Sequence, residues 1–229
     1  MPPSTINRSI IALNNPKSPA SEAYRGLRTN ILFSAVDQAF QVIMLTSAGS
    51  AEGKSTTTAN LAVTYAQAGQ KVLILDCDLR KPVMHRIFGL SNRFGMSNAL
   101  AGQVPFREVI RDTEIPNLSV ITAGPTPPNP SEMLMSNRMK ELVEEMRSEF
   151  DIMIVDTPPA LALTDAQIVA TLCDGVLLVL ESGRVKREAA IKVRQALEHV
   201  NAKIIGAVLN NVSKKANSYY QYYYAYGEE

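Results

Sequence analysis

Apolar residues along the chain cluster in short blocks, and the stretches between the blocks carry a helical period of polar and apolar positions. Blocks at residues 41–47, 71–76, 118–122, 151–156, 175–181 and 203–209 are five to seven residues long, rich in β-branched side chains and bounded by breakers. Strands that are apolar on both faces belong inside a sheet covered on both sides. Helical patterns lie between them, over residues 54–68 with Gly69 closing the helix, about 131–149, 164–172 and 184–200. A further helix follows residue 20. The alternation predicts an α/β fold, a mostly parallel central sheet with helices on both faces. Residues 82–116 read as short helices with irregular connections. Residues 1–20, with several prolines, asparagines and serines and no period, read as a flexible N-terminal arm. Residues 213–229 are polar and tyrosine-laden and read as a mobile tail, which leaves one domain over residues 21–212.

Composition narrows the classes of function. A chain of 229 residues, 46% of them apolar, has material for one substantial core but not comfortably for two. Lys plus Arg (23) and Asp plus Glu (22) nearly cancel, so no overall field draws the protein to nucleic acid or anionic lipid, and no nucleic-acid partner is expected. The longest apolar runs, residues 176–180 and 204–209, fall far short of the roughly 20 residues of a membrane span. The N-terminus lacks the basic and apolar blocks of a leader peptide. These features predict a cytoplasmic protein, held at a membrane only through a partner. Cys77 and Cys173 sit in apolar stretches and read as small buried hydrophobes, not as a disulfide or metal site.

The chemistry enters between the first strand and its helix. Ala48-Gly49-Ser50-Ala51-Glu52-Gly53-Lys54-Ser55-Thr56 fits the phosphate-loop pattern GxxxxGK[ST] except for Ala48 at the first glycine. Glycines let backbone N–H groups turn inward on phosphates, and the helix N-terminus adds its dipole. Lys54 reaches the β and γ phosphates, and the Ser55 hydroxyl suits Mg²⁺. Asp76 and Asp78 follow the second strand, and Asp156 ends another apolar block before Thr157-Pro158-Pro159. Alone, a strand-end aspartate as readily caps a helix. Three of them in a chain with a phosphate loop predict a P-loop NTPase fold whose acids gather round the metal of a bound ATP.

These residues resemble those of the bacterial tyrosine kinase family, the BY-kinases, over nearly the whole chain from about residue 20. The family carries a Walker A loop, matched by residues 48–56, and a DxDxR motif, matched by Asp76-Cys77-Asp78-Leu79-Arg80. Its Walker B motif ending in DTPP is matched by Asp156-Thr157-Pro158-Pro159. Residues 22–30 are similar to an ExxRxxRTN segment that mediates ring-shaped self-assembly in relatives. Here Glu22, Arg25 and Arg28 recur at three-residue spacing beside an apolar stripe of Tyr24, Leu27 and Ile31. Tyr219, Tyr220, Tyr222, Tyr223, Tyr224 and Tyr226 fall within eight positions, and such clusters are autophosphorylation substrates in the family.

The resemblance implies an ATP- and Mg²⁺-dependent protein-tyrosine kinase that autophosphorylates this cluster between subunits of a ring. It further implies a transmembrane activator protein, recruitment to the inner face of the plasma membrane, protein tyrosine substrates, and a role in capsular or extracellular polysaccharide synthesis. Lys54, Asp76 and Asp78 are the expected catalytic residues, with Asp76 accepting or orienting the phenol proton. Ser55, Asp78 and Asp156 are the expected surroundings of Mg²⁺. Asn210 or Asn211, after the last strand, resembles an adenine-contacting position of related ATPases and reads equally well as a turn residue.

The chain departs from the family at Ala51, where glycine is common, and at Ser50, where proline stands nearby. A methyl at 51 crowds the phosphate if the backbone there takes positive φ; nucleotide binding is nevertheless expected to persist. The rival reading, a partitioning or positioning ATPase, needs a lysine early in the loop, where this chain has Gly49.

Overall fold

A computed structural model of the chain describes residues 9–35 and 39–213. One seven-stranded sheet runs in the order β3-β4-β2-β5-β1-β6-β7. Its strands are β1 (Val42–Ser47), β2 (Val72–Asp76), β3 (Ile110–Asp112), β4 (Leu118–Ile121), β5 (Ile152–Asp156), β6 (Gly175–Glu181) and β7 (Ile204–Asn210). Every pairing is parallel except β3 with β4. The six strands expected from the apolar blocks are present with ends within one residue. β3 is an addition: three partly exposed residues at the sheet's edge are too short to show a period.

The central strands β1, β2 and β5 are buried along their whole length. Alternation splits them between two cores. Val42, Met44, Leu73, Leu75, Met153 and Val155 join one cluster, while Ile43, Leu45, Ile74 and Ile154 join the other. The second face is covered by α1 (Ile11–Asn14), α2 (Pro19–Ser34), α3 (Lys54–Gln67) and α4 (Met84–Ile87). The first is covered by α5 (Met96–Leu100), α6 (Pro130–Leu134), α7 (Asn137–Arg147), α8 (Asp165–Ala170) and α9 (Arg187–His199). Burial of each such side chain contributes about 1.5–3 kcal/mol.

Two expectations change. The helix expected over 131–149 is two helices, because Ser136 leaves the helical region (φ −66, ψ 157) and its hydroxyl accepts the Met139 N–H at 3.3 Å as the cap of α7. Residues 9–18, expected to belong to a loose arm, are docked. Ile10 and Ala12 are fully buried, and Asn60 of α3 holds Ala12 and Ser9 through the two ends of its amide. Its Oδ1 accepts from Ala12 N–H, and its Nδ2 donates to the Ser9 carbonyl, each at 2.9 Å. The signal was missed because the amide that holds the arm lies 48 residues further along the chain. Cys77 is buried as expected and Cys173 half-buried, with both thiols unbridged. Among the described residues no helix is long and apolar enough to cross a membrane. The six tail tyrosines lie outside the described residues.

Candidate active site

Parallel register brings the acids together. Asp76 and Asp156 are directly opposite each other at the C-terminal ends of β2 and β5, and Leu45 of β1 faces Asp156 from the other side. The loop leaving β1 therefore opens beside both carboxylates, at the sheet edge where α/β folds bind ligands.

Lys54, the first residue of α3, turns its ammonium to Asp156: Nζ stands 2.6 Å from Oδ1 and 3.0 Å from Ser55 Oγ. Ser55 Oγ donates to Asp156 Oδ2 at 2.7 Å, and Thr58 Oγ1 to Oδ1 at 3.1 Å. Lys54, Ser55 and Asp156 are thus assembled, and both charged side chains are almost wholly buried. Asp76 is fully buried and accepts the Met84 and Asp78 N–H groups at 3.2 and 3.3 Å. Its burial, then the charge of Asp156, holds it well above the usual carboxylate range despite Lys54. Burial likewise raises Asp78, against the Lys81 N–H and the Lys54 charge. Three carboxylates facing one ammonium leave the site short of positive charge, which fits a divalent cation.

Among the described residues no three metal-ligating side chains converge. Mg²⁺ usually takes one or two carboxylates and draws its remaining oxygens from water and phosphate, so Ser55 with Asp156 is the pair that suits it.

The loop itself is braced from within. Glu52, assigned to the nucleotide by its position, folds its carboxylate back onto the loop's first turn. It accepts the Gly49 N–H at 2.6 Å and the Ala48 N–H at 3.2 Å. Asn210, read as an adenine contact or a turn, donates its amide to the Glu52 carbonyl at 3.0 Å and packs on Gly53. Asn211 turns the other way, to Glu181 at 3.1 Å. Ser50 and Thr56 stand on the loop and on the first turn of α3, half-buried or exposed.

Ala51 has φ +62, the left-handed conformation in which a Cβ is strained. Ala51→Gly is expected to stabilise the protein by about 0.5–1 kcal/mol, the left-handed penalty less the added freedom of the unfolded chain. Calorimetry checks it; a lower melting temperature would contradict the strain.

One partner was invisible in the sequence. Arg80, third of the DxDxR residues, forms two bonds to the buried Asp165 of α8, Nε to Oδ2 at 2.8 Å and Nη2 to Oδ1 at 3.2 Å. Burial pushes the Asp165 carboxyl up, but the bonds from Arg80 and from Ser131 outweigh that and hold it below the usual range. The pair fastens the β2 loop to α8 across 85 residues.

On α2, Arg25 donates to Glu22 one turn earlier at 2.8 Å. Arg28 does not share that exposed face, because its guanidinium is tied to the Thr64 carbonyl of α3. Leu27 and Ile31 pack inward as the expected stripe, whereas Leu32 and Phe33 remain 62% and 79% exposed.

A parallel sheet with a glycine-braced loop at the start of the helix after β1, and strand-end aspartates beside it, defines a P-loop nucleotide-binding protein. The family model described as an AAA domain matches residues 40–210. Tyrosine-protein kinase YwqD of Bacillus subtilis is 45% identical over 96% of this chain and 93% of its own length. Among solved structures, the kinase domain of the Escherichia coli tyrosine kinase ETK superposes with a TM-score of 0.88 at 39% identity, covering 91% of this chain and 82% of that one. The chimerical protein CapA2B2 gives 0.87 at 43% identity, over 90% and 91%. The chain belongs to the bacterial tyrosine kinase family and is a protein-tyrosine kinase.

Proposed function

We propose that the chain transfers the γ-phosphoryl group of Mg·ATP to the tyrosines at 219, 220, 222, 223, 224 and 226 of a neighbouring copy. The observation that carries this is the Lys54–Asp156–Ser55 cluster at the mouth of the phosphate loop, in a chain that ends in six clustered tyrosines. In this reading residues 21–212 are the catalytic unit and residues 213–229 its substrate. The docked residues 9–18 support extending that unit to Ser9.

Phosphoryl transfer asks mainly for positioning and charge neutralisation. Lys54 leaves Asp156 for the β and γ phosphates, while the amides from Ala51 to Thr56 cradle them. Ser55 and Asp156 would hold Mg²⁺, with Asp78 in its surroundings, and the ion would supply charge neutralisation for the transferred group. A phenol has a pKa near 10 and needs help to lose its proton. Asp76 accepts or orients that proton, and its proton affinity, raised by burial and then by the charge of Asp156, supports the role. Asn210 supports the loop from outside, and Asn210 or Asn211 borders the adenine.

Self-assembly through residues 22–30 is supported by Leu32 and Phe33, large apolar side chains left exposed at the end of the same helix, while Glu22 and Arg25 satisfy each other within it. Membership of the family supports a transmembrane activator that holds the chain at the inner membrane face, protein tyrosine substrates, and a role in capsular or extracellular polysaccharide synthesis. Incubation with Mg·ATP followed by phosphotyrosine mapping by mass spectrometry tests the reaction. Phosphate on the tail tyrosines is expected; phosphate release with an unmodified tail would overturn the reading.

A further inference from the structure

The carbonyl of Ala51, the loop residue with strained φ, is bonded to a side chain 133 positions further along the sequence. β6 ends in a tight turn: Gly183 takes φ +75, and the Arg184 and Val185 N–H groups return to the Glu181 carbonyl at 3.2 and 3.1 Å. The turn brings the Arg184 side chain onto the phosphate loop. There its Nη1 donates to the Ala51 carbonyl at 3.3 Å and to Glu181 Oε2 at 2.8 Å. Glu181 is held in turn by the Asn211 amide at 3.1 Å. Little else confines the guanidinium, because the Arg184 side chain is 57% exposed and lines, with Gly49 and Ser50, a cavity of about 460 Å³ beside the loop.

We infer that Arg184, anchored by Glu181, is a positioning residue for nucleotide binding: it holds the Ala51 peptide in the orientation that aims the next amide at the phosphates. The inference rests on the reading of this loop as the nucleotide site and adds to it a residue from outside the loop. In a trans peptide the carbonyl and the N–H point opposite ways. A carbonyl of Ala51 turned out to Arg184 therefore turns the Glu52 N–H into the loop, where amides cradle phosphate. Alanine at positive φ is strained, so a loop without that bond relaxes toward ordinary φ and the amide turns away. The neighbouring groups are held by others: Asn210 bonds the Glu52 carbonyl, and the Glu52 carboxylate bonds the Gly49 and Ala48 amides. Arg184 suits the remaining task because a planar guanidinium donates to a carbonyl and a carboxylate at once. It also acts on Glu52. Burial raises the Glu52 carboxyl, and after the Gly49 and Ala48 N–H groups the Arg184 charge opposes that, favouring the ionised form on which the loop's first turn closes.

The test is titration calorimetry with Mg·ADP on four full chains: the parent, Arg184→Met, Ala51→Gly and the two changes combined. Methionine keeps much of the side chain's length and removes its donors. In the parent background Arg184→Met is expected to weaken Mg·ADP about three- to tenfold, the range of one lost hydrogen bond. Glycine takes positive φ without strain, so in the Ala51→Gly background the same change should cost less than about twofold. A plain attraction between the Arg184 charge and the phosphates would lose the same factor in both backgrounds, and equal factors overturn the positioning role. Glu181→Ala gives a check of opposite sign, read with Mg·pyrophosphate, which has no base for Asn211 to meet. Loss of the anchor should weaken binding about twofold or more, as a bond to a carboxylate is lost. Unchanged or tighter binding, the latter being what removal of a negative charge near phosphates would give, overturns the role as well. A parent chain that binds no Mg·ADP overturns the nucleotide reading of the loop and this inference with it, whereas binding with equal factors counts against Arg184 alone.

Discussion

Replacing Lys54 with methionine is expected to lower tail phosphorylation by about a thousandfold or more, because no other cation in the cluster can follow the charge that develops on the transferred phosphoryl group. The same change should also destabilise the nucleotide-free protein. Lys54 and Asp156 form a buried pair at 2.6 Å with side chains 8% and 0% exposed, and Asp76 lies in register beside Asp156. Removing one partner of a buried pair costs about 3–5 kcal/mol. Ser55 and Thr58 still donate to Asp156, which favours the lower end of that range. At about 2–4 °C per kcal/mol for a chain of this size, the melting temperature should fall by roughly 6–12 °C. The double variant Lys54→Met with Asp156→Asn should recover most of that loss while staying inactive. Scanning calorimetry of the four proteins, beside phosphotyrosine mapping, decides the matter: additive effects of the two substitutions would show that the ion pair contributes little.

The second large effect is expected from Gly53→Ala, a change of one methyl group. Gly53 has φ +86, and a Cβ there would stand 1.9 Å from the amide nitrogen of Asn210. The left-handed conformation costs alanine about 1–2 kcal/mol. Displacing Asn210 also breaks its bond to the Glu52 carbonyl, which leaves a part-buried polar group to find a new partner, at a further cost of about 1 kcal/mol. If the loop escapes this strain by leaving its phosphate-ready shape, nucleotide affinity falls by about 30- to 150-fold, on the scale of 1.4 kcal/mol per tenfold. Titration calorimetry with Mg·ADP measures it. Asn210→Gly in the Gly53→Ala background should restore part of the affinity by opening the space, but not the share lost to the backbone. Full rescue, or none, would mean that the loop and Asn210 are not coupled in this way.

Both effects turn on contacts between residues far apart in the chain, and that marks where sequence reasoning stops. The strands were legible because apolar blocks of five to seven residues between breakers report burial on both faces, a local property. The phosphate loop was legible because its glycines, Lys54 and Ser55 must be contiguous to wrap one phosphate group. The aspartates were legible as strand ends, and a parallel sheet brings strand ends to one edge. At Ala51 the sequence raised only a condition, a methyl crowding the phosphate if φ is positive, and the structure supplied the φ of +62.

What remained hidden has the opposite character. Nothing near Arg80 names Asp165 as its partner, and nothing near Ala12 names Asn60. Glu52 looked like a nucleotide contact because it sits in the loop, but the curl of the backbone brings its carboxylate onto the Ala48 and Gly49 amides. Arg28 shared its spacing with Glu22 and Arg25, yet the packing of α2 on α3 turned it toward the Thr64 carbonyl. By itself, then, the sequence determined the layers, the loop and the kind of chemistry, since each is written in the period or adjacency of neighbouring residues. Only the tertiary structure decided which amide, guanidinium or carboxylate satisfies which, because a buried polar group takes whatever partner the packed chain brings within about 3 Å.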